Sequence, residues 1–187
     1  MAIIQNAITF ADNPSFTKVG SIASGSSVSS ATLNGIFSDT FHTYFFAYEG
    51  RTAAGGSFMQ FCNSGGTAAS SNYYYAVQGR DQDGNIDGPE SLNSGATSGF
   101  LFGLSSTSRL MNVYGYITAP TSGTDNAKKI TWTQSGFDAS NNLLWRSGAG
   151  FSTDSGDYTG LVISSSSGNI TVHSLQVYGI TSTIASG

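Results

Sequence analysis

Short apolar runs alternate with clusters of Gly, Ser, Asn and Asp along almost the whole chain. Two segments, K-K-I-T-W-T-Q (residues 128–134) and N-I-T-V-H-S-L-Q-V-Y-G-I (169–180), have a clear period of two. In the first, Ile130 and Trp132 alternate with threonines, as in a strand with one buried and one solvated face. The pattern predicts strands near residues 3–10, 16–23, 41–49, 57–62, 73–79, 99–104, 110–118, 128–134, 142–147, 158–164 and 170–180.

Two further segments, F-H-T-Y-F-F-A-Y-E (41–49) and S-N-Y-Y-Y-A-V-Q-G (71–79), carry aromatic residues on both faces. Such strands are covered by the core on one side and by a loop or a neighbouring subunit on the other. No segment has sustained helical periodicity. The spacing of the strands predicts an all-β fold, an antiparallel two-sheet β-sandwich resembling a jelly roll. We expect one domain over residues 1–187, with residues 1–30 as a candidate N-terminal arm or set of edge strands used in assembly.

The composition supports an all-β chain and excludes several classes of partner. Glu occurs twice and Lys three times in 187 residues, while Thr, Tyr, Phe, Val and Ile are common. Only 10% of the residues are charged and the net charge is −4, so no nucleic-acid partner is expected. With no signal-peptide pattern and no long apolar run, a soluble protein made in a cytoplasm is expected, without a membrane partner. The lone Cys62 excludes an internal disulfide and is expected to be a buried, inert strand residue.

An acidic stretch, R-D-Q-D-G-N-I-D-G-P-E (residues 80–90), has two interpretations. The first is a calcium site, because Ca²⁺ prefers oxygen ligands that alternate in a loop. Its fit to an EF-hand loop fails, since the sixth position is Ile86 and the twelfth is Leu92. A solvated hairpin tip is favoured instead, with Gly84 supplying a positive φ. The candidate calcium ligands are Asp81, Asp83, Asn85 and Asp87.

Motifs for catalysis are missing from the sequence. There is no G-x-S-x-G elbow, no phosphate-binding loop and no cluster of His and Cys for zinc, and both histidines lie in predicted strands. We therefore expect no enzyme activity and no cofactor. Aromatic side chains offer a binding alternative, because their rings can stack on sugars, although burial in the core or in an interface would explain them equally well. The candidate aromatic residues for a glycan site or an interface are Tyr73, Tyr74, Tyr75, Trp132 and Trp145.

Motifs at both ends of the chain resemble those of a known group of proteins. The segment S-S-V-S-S-A-T-L-N-G-I-F-S-D-T-F-H-T-Y-F-F-A-Y-E-G (26–50) resembles the opening of small β-sandwich virion structural proteins of tailed bacteriophages, including marine and cyanobacterial ones. The closing S-S-S-S-G-N-I-T-V-H-S-L-Q-V-Y-G-I (164–180) is similar to the last strand of those proteins, although Val172 stands where they usually have glycine. N-Y-Y-Y-A-V-Q-G (72–79) is similar to their tyrosine-bearing strand.

The resemblance implies a non-enzymatic component of the virion. A capsid decoration (cement) protein is the expected role, binding the major capsid protein or a tail protein as a symmetric homo-oligomer, often a trimer. The alternative that it leaves open is a receptor-binding adhesin on a tail or head fibre that recognises host glycan. A third possibility, an Asp-based hydrolase, follows only from the habits of phage tailspikes.

Overall fold

The computed structural model describes residues 15–23, 25–70, 72–84, 86–90, 99–103, 109–121, 128–137 and 142–181. This part of the chain contains strands and turns and no helix. The strands are β1 Ser15–Ile22, β2 Ser27–Val28, β3 Ser30–Leu33, β4 Thr43–Cys62, β5 Tyr73–Asp81, β6 Ile86–Glu90, β7 Phe100–Gly103, β8 Met111–Thr118, β9 Lys128–Phe137, β10 Leu143–Ser152 and β11 Gly160–Thr181.

All the strands belong to one antiparallel sheet. Its order is β1-β11-β4-β8-β9-β10-β5-β6, while β2 and β3 also pair with β11 and β7 also pairs with β4. The predicted all-β class is therefore confirmed. The finer prediction of two separate sheets in a jelly-roll order is not confirmed, because hydrogen bonds link every strand into a single sheet.

The two long strands β4 and β11 pair along their whole length and bend together. Phe37 contacts Tyr44, near one end of β4, at a ring distance of 4.8 Å. It also contacts Phe61, near the other end, at 6.2 Å. A straight strand could not bring Tyr44 and Phe61 to the same ring, since each residue adds roughly 3.3 Å of length. The strand pair therefore folds back over the core, with Gly55 and Gly168 at positive φ of 69° and 74° in the bend.

Serine hydroxyl groups bond to the backbone in this bend. The Ser165 hydroxyl donates to the Ala54 carbonyl oxygen at 2.6 Å and accepts from the Ser167 N–H at 3.3 Å. The Ser166 hydroxyl oxygen accepts from the Gly56 N–H at 3.2 Å. The register shifts around these residues, so the hydroxyl groups provide partners where regular ladder bonds are interrupted.

The core between the folded halves of the sheet is rich in aromatic rings. Phe61 packs against Tyr73, Phe100 and Tyr158, with ring distances of 6.4, 5.8 and 5.6 Å. Buried Tyr73 also accepts a hydrogen bond at its hydroxyl oxygen from the Phe61 N–H, at 3.0 Å. The core therefore links strands that are distant in sequence.

The predicted strands agree with the structure in most places. Those at 41–49 and 57–62 are parts of the single strand β4, and those at 158–164 and 170–180 are largely parts of β11. Their Gly- and Ser-rich junctions predict turns but form the bend. Strands β2, β3 and β6 were not predicted, and the predicted strand at 3–10 lies outside the described residues.

Candidate ligand-binding face

One surface of the sheet, here called the outer face, carries the exposed side chains of β1, β11, β4, β8, β9, β10 and β5. Strand pairing aligns these side chains in rows that cross the sheet. One row contains Tyr178, Phe45 and Tyr116. Another contains Ser174, Glu49 and Asn112. An aromatic row and a polar row therefore run parallel to each other across β11, β4 and β8, with one row of residues between them.

A groove of about 680 Å³ lies over these rows, and we call it the aromatic groove. Ala47 lies in the row between the aromatic and polar rows, next to Gln176 and Tyr114. Because the Ala47 side chain is small, a space remains between the larger side chains of Gln176 and Tyr114. The residues that line the aromatic groove are Phe16, Phe45, Ala47, Tyr48, Glu49, Asn112, Val113, Tyr114, Tyr116, Ser174, Gln176 and Tyr178.

The aromatic side of the groove is a connected set of rings. Phe45 lies at its centre, 5.9 Å from Phe16, 5.5 Å from Tyr116 and 6.3 Å from Tyr178. These contacts hold the rings in fixed orientations, which reduces the entropy that a ligand would have to remove on binding. Tyr114 and Tyr116 nevertheless remain 52% and 45% exposed. Their rings are accessible to a ligand.

The polar side of the groove contains a carboxylate and two amides. Tyr178 donates its hydroxyl hydrogen to Oε1 of Gln176, and the Gln176 amide nitrogen lies 3.5 Å from the Ser174 hydroxyl oxygen. These bonds orient the Gln176 amide. Glu49 and Asn112 are directly opposite each other on β4 and β8. The groove therefore offers hydrogen-bond donors and acceptors next to aromatic rings.

A second set of apolar side chains on the outer face consists of Leu143, Trp145 and Phe151 on β10 and the half-buried Tyr74 on β5. We call it the β10 patch. The rings of Tyr74 and Phe151 stack at 4.9 Å with an interplanar angle of 5°. Beside this stack is a depression of about 410 Å³, where the side chains of Ala76 and Ala149 are small and leave space. Trp145 is 51% exposed and Leu143 is 50% exposed. The β10 patch therefore combines apolar side chains with two exposed cations, Lys129 among the residues that line the depression and Arg80 opposite Trp145.

The five aromatic residues that the sequence singles out lie in two different parts of the structure, the surface and the core. Tyr74 and Trp145 lie in the β10 patch. Tyr73, Tyr75 and Trp132 are buried in the core, at 0%, 6% and 3% exposure. Their selection as surface residues needs correction, because inward-pointing rings on β5 and β9 pack against the opposite half of the fold and cannot reach a ligand.

The rings of the aromatic groove were not selected from the sequence. Tyr114 and Tyr116 had a usable signal in M-N-V-Y-G-Y-I-T, where they share the polar phase of a strand whose other phase is apolar. Phe16, Phe45 and Tyr178 come from three other segments. Only the pairing of β1, β11 and β4 shows that they meet.

The acidic stretch forms the hairpin that the sequence favours. Strands β5 and β6 pair antiparallel, and Gly84 has a φ of 80° in the turn. The Asp81 carboxylate accepts from the Asp83 N–H at 3.0 Å, and the Asp81 carbonyl oxygen accepts from the Gly84 N–H at 3.1 Å. Asn85 and the Asp87 side chain lie outside the described part. Of the four candidate calcium ligands, the structure therefore describes only the side chains of Asp81 and Asp83. Within the described residues, no three His, Cys, Asp or Glu side chains cluster for a metal ion.

A buried lysine closes one end of the core. The Lys128 ammonium group donates to the Asp154 carbonyl oxygen at 2.8 Å and lies 5.0 Å from the centre of the Tyr158 ring. Burial lowers the pKa of Lys128, and the charges of Asp154 and Asp157 oppose this shift. Because Lys128 is only 1% exposed, its nitrogen cannot reach a substrate, and we assign it a structural role.

Burial also raises the pKa of the Cys62 thiol and of three tyrosine hydroxyl groups. It raises the pKa of the Cys62 thiol from 9.0 to about 11, which agrees with the predicted inert thiol. It raises the pKa of Tyr48, Tyr73 and Tyr158 well above 10.0. Above pH 9.0 the unfolded chain releases protons that the folded protein retains. Deprotonation therefore favours unfolding at alkaline pH.

We expect the free energy of unfolding to fall as the pH rises from 9 towards 11. Each proton that only the folded state retains contributes about 1.4 kcal/mol per pH unit. The lowered pKa of Lys128 acts with the opposite sign, so the comparison should be made with a Cys62→Ala variant, which removes only the thiol. Urea unfolding at several pH values should give a shallower fall for Cys62→Ala between pH 9 and 10. Equal slopes would contradict the assignment to Cys62.

Comparisons with known proteins found no matching family model, no matching curated protein and no matching solved structure. A search of the described residues for a helix long and apolar enough to cross a membrane found none.

Proposed function

We propose that this protein is a non-enzymatic virion structural protein of a tailed bacteriophage. In this proposal it decorates the outer capsid as a symmetric oligomer and attaches through the β10 patch. The observation that carries the proposal concerns exposed apolar side chains. Within the described residues, every large hydrophobic side chain that is strongly exposed lies on the outer face: Phe16, Tyr114, Tyr116, Leu143, Trp145 and Phe151.

This concentration of apolar surface favours a protein that works by attachment. Contiguous exposed apolar surface is uncommon on monomeric proteins and marks interaction sites. Interface cores are enriched in aromatic residues and in arginine, and the β10 patch presents aromatic rings with Arg80 paired opposite Trp145. The sequence motifs at residues 26–50 and 164–180 provide the link to bacteriophage particles. The patch and the motifs are independent of each other and favour the same kind of protein.

The proposal predicts that the β10 patch controls occupancy on the particle. Replacing Trp145 and Phe151 together by serine removes two exposed rings and leaves the core intact. We expect the variant to bind particles at least tenfold more weakly, because aromatic residues at the centre of an interface commonly contribute about 2 kcal/mol or more each. Binding is measured by cosedimentation with particles that lack the protein, and the bound chain is located in electron micrographs.

A matched control is Tyr114→Ser together with Tyr116→Ser, which changes two exposed rings of the aromatic groove. Both double variants must remain folded, with melting temperatures within about 5 °C of that of the unchanged protein, because loss of an exposed ring contact costs about 1 kcal/mol. Full occupancy by the β10 variant would overturn attachment through this patch. A label found on the tail would overturn the decoration role.

A second candidate function is a receptor-binding adhesin that recognises host glycan. The observation that favours it is the aromatic groove, where exposed rings lie beside polar groups on a different part of the outer face. The two functions are compatible, since the β10 patch and the groove have no residue in common.

A further inference from the structure

We propose that the aromatic groove is a binding site for a neutral oligosaccharide. The site deepens the second candidate function by assigning it residues and a ligand class. It depends on the groove alone, so its test is independent of the proposed attachment to a capsid.

Two exposed rings form the apolar part of the site. A pyranose presents C–H groups on its faces and hydroxyl groups around its edge, so it packs flat on an exposed aromatic ring while its hydroxyl groups stay free to bond. Tyr114 and Tyr116 are about half exposed, and they lie two residues apart on the same strand. Tyr116 is held in place by Phe45, at 5.5 Å. The two rings provide successive apolar surfaces on a rigid support.

Polar side chains lie beside these rings. Glu49 and Asn112 face each other across the β4–β8 pair, in the row next to Tyr114 and two rows from Tyr116. The carboxylate accepts two hydrogen bonds from neighbouring hydroxyl groups, while the amide both donates and accepts. Gln176 adds a second amide, which Tyr178 orients. A sugar stacked on the rings would meet these groups with its edge.

The charge and the size of the groove restrict the class of ligand. The residues that line the groove include the Glu49 carboxylate and no Lys or Arg. This disfavours phosphates, uronic acids and nucleic acids, which need cationic partners. The volume of about 680 Å³ lies within the range of roughly 300–1,000 Å³ that is typical of small-molecule sites. A neutral saccharide of a few sugar units matches both the charge and the space.

A polypeptide partner fits this surface less well. It would have to cover the Glu49 carboxylate and the Asn112 amide, and buried polar groups are costly unless each one finds a partner. The hydroxyl groups of a sugar supply such partners at close spacing. The β10 patch, whose depression is lined mainly by apolar atoms, suits a protein partner better.

The test uses the full chain and defined probes. Binding of maltohexaose, galactohexaose and hexa-N-acetylchitohexaose is measured by titration calorimetry and by NMR line broadening, with hexagalacturonate as an acidic probe. We expect saturable binding of at least one neutral probe and none of the acidic one. Ala47→Trp should fill the groove and abolish this binding. Tyr116→Ala and Glu49→Gln should each weaken it, by about tenfold and severalfold respectively.

The matched control is Ala76→Trp, which fills the depression beside the β10 patch and should leave sugar affinity unchanged. Equal affinity in Ala47→Trp and the unchanged protein would overturn the site. Binding of only the acidic probe, or of none of the probes, would overturn the ligand class. If Ala47→Trp instead dissociates an oligomer in analytical ultracentrifugation and no sugar binds, the groove is a contact between copies of the chain and the inference is wrong. None of these outcomes changes the expected result for the Trp145 and Phe151 double variant on particles.

Discussion

Replacing Phe61 by alanine is expected to lower the free energy of unfolding by about 3–5 kcal/mol, the usual cost of removing a buried aromatic ring. Phe61 is 1% exposed and contacts the rings of Phe37, Tyr73, Phe100 and Tyr158. These four rings belong to different segments of the chain. The cavity cannot close easily, because each neighbour is held by contacts of its own.

Urea unfolding followed by circular dichroism measures this loss. Phe151→Ala is a matched control, since it also removes a phenyl ring but at an exposed position whose ring stacks on Tyr74. We expect that control to cost about 1 kcal/mol, the size of a single ring contact. Equal losses for Phe61→Ala and Phe151→Ala would show that the bend of β4 does not enclose the core as described.

The strand positions could be predicted from the sequence because alternation is a local property. In β9, Ile130 and Trp132 are buried and Thr131 and Thr133 lie on the opposite, more exposed side, as their alternation predicts. The polar Lys128 and Gln134 nevertheless share the buried side. The Y-Y-Y run of residues 73–75 has no such contrast, so the sequence could not tell the buried Tyr73 and Tyr75 from the more exposed Tyr74. Pairing with β10 decides the phase.

The bend in β4 and β11 could not be predicted from local signals. G-R-T-A-A-G-G (50–56) and S-S-S-S-G-N (164–169) contain turn-forming residues, and both are normally interpreted as connections. Each segment is instead the pairing partner of the other, although they are more than 100 residues apart. Glycine and serine here allow a paired ribbon to change direction.

The candidate binding site has the same limitation. Its rings come from β1, β4, β8 and β11, which the sheet order makes neighbours. No single segment contains enough of the site to identify it. The aromatic candidates that the sequence singles out therefore include core residues. The alternation in β8 places Tyr114 and Tyr116 on its exposed side, but only the register shows which rings and polar groups lie beside them.

The second large effect is expected from Gly148→Ala, a change of one methyl group. Gly148 is paired with Trp132, and a Cβ atom at position 148 would lie 2.3 Å from Cζ2 of the indole ring. The ring cannot move away freely, because it is buried and packs on Phe100 at 6.4 Å. We expect a loss of about 2–3 kcal/mol in the free energy of unfolding, as is found for overpacked cores. Gly65→Ala is the control, since a Cβ atom there would lie 3.3 Å from Oδ1 of Asn63, and it should change stability by about 0.5 kcal/mol or less.

A double-mutant cycle tests whether the clash with Trp132 is the cause. In a Trp132→Leu background the smaller side chain leaves room for the added methyl group, so Gly148→Ala should cost at least 1 kcal/mol less than it does alone; couplings of about 0.5–3 kcal/mol are typical of residues in contact. An unchanged cost in that background would place the strain in the backbone of β10. The cycle therefore separates a glycine that makes space for a ring from one that the strand itself requires.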